Sequence, residues 1–376
     1  MRSRAPARKS LHHLQTASML VSAGAVLAVG GPAAQSAMGA TTGVQAAPCP
    51  AESVYSMTAS QASACGLDAY PVQSESALSD GGTDYVYDVD GNELDYPVPP
   101  PGFDPLTASN SELSLFMIPP RPDSSDSSAY AEWVRDWGNV TIATPPSSLI
   151  VDTRLTASPA NENWSGYVDT SATTFTGALS VWSQPTLGPS ACTNSLGFIW
   201  DGIGGFNSDR LAQDGTIMTT DASFTNGQGW TEVLPDQPSI VDQNIVAHAG
   251  DGFEGKTNWS TNYHGRDAYT FGLHDLSTGA YVPLADYTTT HDTTSDEAIA
   301  EDEQFLTSAY PMPNFGGLFF SQVQEIVNSG NWKAMVTAGA INSYWNGHKL
   351  TSVGPLSTAQ GTSSYNYFTD TYTACD

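Results

Sequence analysis

From about residue 155 onward the chain is a succession of short apolar or alternating runs, each closed by a cluster of Gly, Asn, Asp or Ser. The runs include TFTGALSVW, LGFIWDGIGGF, GWTEVL, DAYTFGLHDL, NFGGLFFSQV and KAMVTAGAIN. In DAYTFGLHDL, Tyr269, Phe271 and Leu273 alternate with Thr270, Gly272 and His274. That period of two belongs to a strand with one buried face. Many short strands at this spacing, with turn residues between them and no internal repeat, predict an all-β sandwich or barrel. One all-β unit of roughly 200–250 residues is an ordinary size.

Charge narrows the function classes. The 376 residues carry 12 Lys and Arg against 39 Asp and Glu, a formal net charge of -27. So few cations argue against nucleic acid and against an anionic membrane surface as partners. Protonating the carboxylates removes most of this charge and its self-repulsion, so the composition suits an acidic medium. The N-terminus has a basic stretch (Arg2, Arg4, Arg8, Lys9), an apolar stretch at 17–30 and small residues after it. This is the layout of a signal peptide over 1–47, and the apolar run is too short for a membrane span. We therefore expect a secreted protein, free of the membrane after signal cleavage and monomeric. Export permits disulfides. Cys192 and Cys375 lie in the β unit and Cys49 and Cys65 lie together upstream, so the expected pairs are Cys192–Cys375 and Cys49–Cys65.

Residues 48–154 differ in texture. YPVPPPGFDP at 96–105 and IPPRPDSSDSS at 118–128 are rich in Pro and Ser and read as extended linker. Within this propeptide-like or linker segment, YVYDVDGNELDY alternates on both sides of an Asp-Gly turn and predicts a hairpin. Short helices are expected at 109–116 and 128–138. The β unit is then 155–376.

Several chemistries have no signature here. There is no phosphate-cradling glycine motif, no H-E-x-x-H and no G-x-S-x-G elbow, and the histidines are dispersed. Asp169-Thr170-Ser171 is half of an aspartic dyad without its second half. No metal or cofactor is expected, and carboxylate or amide chemistry remains.

An ordered series of motifs is more specific. Asn163-Trp164-Ser165-Gly166 is followed by Ile199-Trp200-Asp201-Gly202-Ile203-Gly204-Gly205, then Leu211-Ala212-Gln213-Asp214-Gly215. Trp230-Thr231-Glu232-Val233-Leu234-Pro235, Ala249-Gly250-Asp251 and Leu276-Ser277-Thr278-Gly279 come next. Asp296-Glu297-Ala298-Ile299-Ala300-Glu301 and Asn314-Phe315-Gly316 close the series. The order and spacing resemble the glutamic peptidases, the eqolisin-type acid peptidases, over about 160–368. The resemblance implies a concanavalin-like sandwich of two antiparallel sheets and acid endopeptidase activity on a polypeptide substrate. It implies a catalytic glutamine at Gln213 and a catalytic glutamate at Glu301, with Glu297 as the alternate. It places Trp164, Trp200, Trp230 and Glu232 along the cleft. Four positions depart from the family pattern: Gly204 and Ile217 stand where aspartates are expected, Ala298 replaces a tryptophan and Glu303 an aromatic residue.

The residue chemistry is consistent with that reading. A glutamate can take a proton from water and return it to a leaving amine. A glutamine amide offers an N–H to an oxyanion and a carbonyl to a water, and it does not titrate in acid. Local propensity pulls the other way at one point, because TSDEAIAEDEQFL carries a capping box at Thr294 and Glu297 and reads as helix, whereas the resemblance requires a strand. Two rival functions stay open. One is a non-catalytic concanavalin-like domain binding extracellular peptide or glycan. The other is a glycosidase using Glu297 and Glu301, although on a strand these would lie roughly 13 Å apart, beyond glycosidase spacing.

Overall fold

The computed structural model describes residues 58–152, 164–172, 174–189, 193–206, 210–220, 227–287, 296–299, 311–328, 330–335, 339–345, 348–358 and 366–375. The expected signal peptide, Cys49, Cys192 and Glu301 lie outside these residues.

The N-terminal part contains α1 (Ala59–Ala64), β1 (Asp68–Ala77), β2 (Thr83–Val89), β3 (Asn92–Val98), α2 (Asn110–Leu115), α3 (Ser127–Trp137), β4 (Thr141–Ile142) and β5 (Ser148–Val151). The long strands follow: β6 (Gly166–Asp169), β7 (Phe175–Ser183), β8 (Leu196–Gly204), β9 (Leu211–Thr219), β10 (Gln228–Leu234), β11 (Gln237–Val246), β12 (Gly252–Tyr263), β13 (Arg266–Asp275) and β14 (Ala280–Asp286). The chain continues through β15 (Asp296–Ile299), β16 (Gly317–Val327), β17 (Lys333–Ala334), β18 (Gly339–Ile341), β19 (Tyr344–Trp345), β20 (His348–Lys349), β21 (Thr351–Val353), β22 (Ser357–Thr358) and β23 (Asn366–Tyr372).

These strands form a sandwich of two large antiparallel sheets. Sheet A runs β18–β6–β15–β8–β9–β10–β11–β5–β1. Sheet B runs β1–β2–β3–β14–β13–β12–β7–β16–β23–β21. Its inner face supplies Tyr269, Phe271 and Leu273, the alternating set of β13, to the core between the sheets. Sheet A meets them with Ile199, Ala212, Met218, Val233 and Ile240. Trp182 on β7 crosses the core and donates its indole N–H to Thr216 on β9 at 3.0 Å.

The Pro/Ser-rich segment is woven into both sheets. β1 pairs with β2 in sheet B and with β5 in sheet A, so this one strand joins the two layers. The predicted hairpin is β2–β3, closed by Asp90 (φ 55) and Gly91 (φ 94). Positive φ at both central residues is the turn that fits strand twist, which explains the Asp-Gly pair. Both predicted helices form, each started by a side-chain cap from Ser109 or Asp126. They lie over the outer face of sheet B, where Phe116, Met117, Trp133 and Trp137 pack on Tyr263, Tyr281 and Tyr287. Lys256 and His274 of that face are thereby buried. Lys256 donates its ammonium to the Met117 carbonyl.

The helix reading of 294–306 is not what the structure shows at its start, since Asp296–Ile299 is a strand between β6 and β8. Pairing on both sides supplies two ladders of backbone hydrogen bonds, which override a local capping signal. Cys65 and Cys375 are not free thiols.

Candidate active site

Strand alternation divides sheet A cleanly. Leu196, Phe198, Trp200, Leu211, Ile217, Trp230, Leu234 and Val241 face away from the sandwich core and form their own apolar cluster. Gln213 and Glu232 share this face, since both keep the parity of their strands. They stand directly opposite each other on β9 and β10. Both are fully buried. Gln213 Nε2 donates to Glu232 Oε2 at 2.8 Å, and Ser239 Oγ donates to Glu232 Oε1 at 2.8 Å. The carboxylate therefore fixes the amide orientation, leaving Gln213 Oε1 without a hydrogen-bond partner among the described residues. A buried amide oxygen without a donor is costly unless water or substrate fills the position.

The row extends across two further strands. Gln213 on β9 is paired with Gly202 on β8, and Gly202 is paired with Glu297 on β15. Position 297 is also opposite Val168 of β6, a member of the same apolar cluster. The row Glu297–Gly202–Gln213–Glu232 thus crosses sheet A at one level, with a glycine between the glutamate and the glutamine. A Cβ at Gly202 would lie 2.6 Å from the Ala212 carbonyl and 3.0 Å from the Trp200 ring. Trp164, Trp200 and Trp230 all belong to the cluster on this face. Trp230 meets Phe198 edge-to-face at 4.7 Å, and Trp164 meets Phe206 at 6.1 Å. Ile217, which stands where an aspartate was expected, is buried in the same cluster.

Residues 162–365, more than half of the chain, match the family model described as the Peptidase A4 family. The chain belongs to the peptidase A4 family. This is the glutamic peptidase family that the motif series resembled, and the chain is a peptidase hydrolase of that type. Three solved structures are similar to this A4 peptidase. A Scytalido-glutamic peptidase, solved with a peptide-based transition-state analogue, is 17% identical with a TM-score of 0.45, over 56% of this chain and 98% of that one. SCP-B, an eqolisin solved with the tripeptide Ala-Ile-His, is 16% identical with a TM-score of 0.43, over 56% of this chain and 98% of that one. The aspergilloglutamic peptidase from Aspergillus niger is 20% identical with a TM-score of 0.40, over 48% of this chain and 99% of that one. No curated protein matches the chain significantly.

A second polar group of the A4 peptidase lies behind the row and escaped sequence reasoning. Asp201 and Asp214 each follow a residue of the outer face by one position, so both point into the sandwich interior. They are opposed across β8 and β9 and both are fully buried. Thr257 of sheet B donates its backbone N–H to Asp201 at 3.2 Å and its hydroxyl to Asp214 at 3.1 Å. Burial pushes the Asp201 carboxyl well above its usual range, and Asp214 up to about 7. The signal was present in the repeated Trp-Asp-Gly and Gln-Asp-Gly triplets. If Trp200 and Gln213 occupy one face, the aspartates must occupy the other.

Proposed function

We propose that this glutamic peptidase is a secreted acid endopeptidase in which Glu297 activates the hydrolytic water and Gln213 holds the oxyanion. The observation that carries the proposal is the cross-strand row in which Glu297, Gly202 and Gln213 occupy directly paired positions. Glu301, four residues further along, would lie roughly 13 Å from Glu297 if the strand continued. The row therefore favours Glu297 over Glu301 as the base.

In this reading the ionised Glu297 takes a proton from water while the water oxygen attacks the scissile carbonyl. The carbonyl oxygen becomes an oxyanion and receives an N–H of Gln213, whose Oε1 orients the water. Glu297 then returns the proton to the amine as the C–N bond breaks. Gln213 keeps the same charge throughout the acid range, so only the glutamate needs to be ionised. Glu232 acts on Gln213 and not on the substrate. Trp164, Trp200 and Trp230 supply the apolar wall for a polypeptide substrate.

Secretion rests on the signal-like N-terminus and on the cysteines, which we pair as Cys49–Cys65 and Cys192–Cys375. Residues 58–152 remain part of the folded enzyme in this account, because β1 and β5 close the sheet edges. Digestion of casein across pH 2–7 tests the activity. The expected result is cleavage at internal bonds in the acid range that pepstatin does not inhibit. No cleavage at any pH, or full inhibition by pepstatin, contradicts it.

A further inference from the structure

Away from the row, on sheet B, two buried aspartates and a histidine converge. Asp84 on β2 and Asp95 on β3 are diagonal neighbours, since Asp84 pairs with Pro97 and Val86 with Asp95. Diagonal residues of an antiparallel pair share a face. They are only 4% and 5% exposed. His264 comes from the turn between β12 and β13, where a left-handed backbone (φ 49) brings its ring back toward the hairpin. One donor atom from each residue fits within a set whose members all lie within 4.8 Å of one another. His264 Nδ1 is 4.0 Å from Asp84 Oδ2.

Three buried polar atoms here have no hydrogen-bond partner among the described residues, namely Asp84 Oδ1, Asp95 Oδ1 and His264 Nε2. All three residues line one cavity of about 590 Å³, together with Leu115, Arg266 and Tyr287. Arg266, the cation of that turn, is engaged by Glu93 and lies 3.8 Å over the Tyr287 ring. Side-by-side buried carboxylates with unfilled lone pairs are costly unless a cation or a shared proton compensates them.

We propose that Asp84, Asp95 and His264 bind one divalent transition-metal cation, with zinc the best chemical match. An imidazole nitrogen with two carboxylate oxygens is a mixed donor set that suits zinc, whereas calcium takes six to eight oxygens. Donors about 2.1 Å from a tetrahedral zinc are about 3.4 Å apart, so the three groups need to close only slightly. The cavity leaves room for a water as fourth ligand. The ligands come from the hairpin of the N-terminal segment and from a turn of the β unit, so the cation would cross-link the two. It sits on the sheet opposite Gln213, and the inference does not depend on the peptidase mechanism.

Zinc titrated by calorimetry into the full-length, EDTA-stripped chain at neutral pH tests the site, with Asp84→Asn and His264→Asn alongside. Asn tolerates the left-handed backbone at 264, so that variant keeps the turn even if Asp84→Asn fails to fold. The expected result is one equivalent of zinc, a raised melting temperature in its presence, and binding weakened at least about tenfold in each folded variant. Absence of one-equivalent binding in the unmodified chain would overturn the proposal and leave a proton-sharing aspartate pair. Titrations of the variants that coincide with the unmodified chain would place the metal elsewhere and equally overturn it.

Discussion

Gln213 and Glu232 stand opposite each other on adjacent strands, and the amide of one donates to the carboxylate of the other across 2.8 Å. The carboxylate thereby selects one of the two amide orientations, in which the Gln213 carbonyl oxygen has no hydrogen-bond partner among the described residues.

This pairing separates two effects. Gln213→Ala should lower kcat by about 10²–10³, as loss of one oxyanion donor does elsewhere, and should cost about 1–3 kcal/mol of stability because the buried Glu232 carboxylate loses a donor. Glu232→Ala removes the acceptor of two buried donors and should also cost about 1–3 kcal/mol of stability. Urea denaturation reads the stability loss and casein digestion the catalytic loss. Full kcat in Glu232→Ala would show that Glu232 does not hold the Gln213 amide in its working orientation.

Gly202 occupies the position between Glu297 and Gln213. Gly202→Ala would force its Cβ against the Ala212 carbonyl at 2.6 Å. The sheet must shift locally, and we expect about 1–3 kcal/mol of destabilisation together with loss of hydrolysis. A variant that melts and cleaves like the unmodified enzyme would show that no close approach is needed at this level.

Stability should rise toward mild acid. Burial raises Asp214, Asp242 and Asp370 from 3.8, and Glu325 from 4.5, each to about 7. A carboxyl with a raised folded pKa binds its proton more tightly when folded. Its contribution is thus full below the unfolded value and is lost as pH rises through about 7. His274, lowered by burial from 6.5 to about 3, acts oppositely and weakens the fold as pH falls below 6.5. The raised carboxyls, Asp201 and Glu254 among them, outnumber the lowered imidazoles of His274 and His264, so melting temperatures measured from pH 8 down to pH 4 should increase. A decrease across that interval would contradict this balance.

The N-terminal segment should be indispensable to the fold. Without 58–152, Tyr263, Tyr281 and Tyr287 lose their cover, Lys256 loses the Met117 carbonyl, and β11 loses its β5 neighbour. Residues 155–376 produced alone should melt far below the full chain or aggregate. An unchanged melting temperature would make the segment a detachable cover.

Much of this architecture was legible. The two-residue alternation of β13 reports its buried face, and the Asp90-Gly91 pair reports the β2–β3 hairpin. The motif series brought Gln213 and Glu232 to notice without indicating that they touch, because register is set by pairing between strands distant in sequence. The same limitation hid the choice between Glu297 and Glu301, which share parity on a strand and differ only in the residues they oppose. Pro and Ser density reads as extended linker at 96–105 and 118–128. That composition reports local extension, and it does not register that Met117 and Trp137 find a partner face on sheet B. Asp84, Asp95 and His264 are 11 and 169 residues apart in sequence, a spacing with no local metal signature.

The central claim is the identity of the base. Casein digestion in the acid range by Glu297→Gln and Glu301→Gln, each checked for folding by circular dichroism, tests it most directly. The account predicts that Glu297→Gln loses at least about 10²-fold in kcat, the scale of general acid–base catalysis, while Glu301→Gln stays active. Retained activity in Glu297→Gln with loss in Glu301→Gln would contradict it.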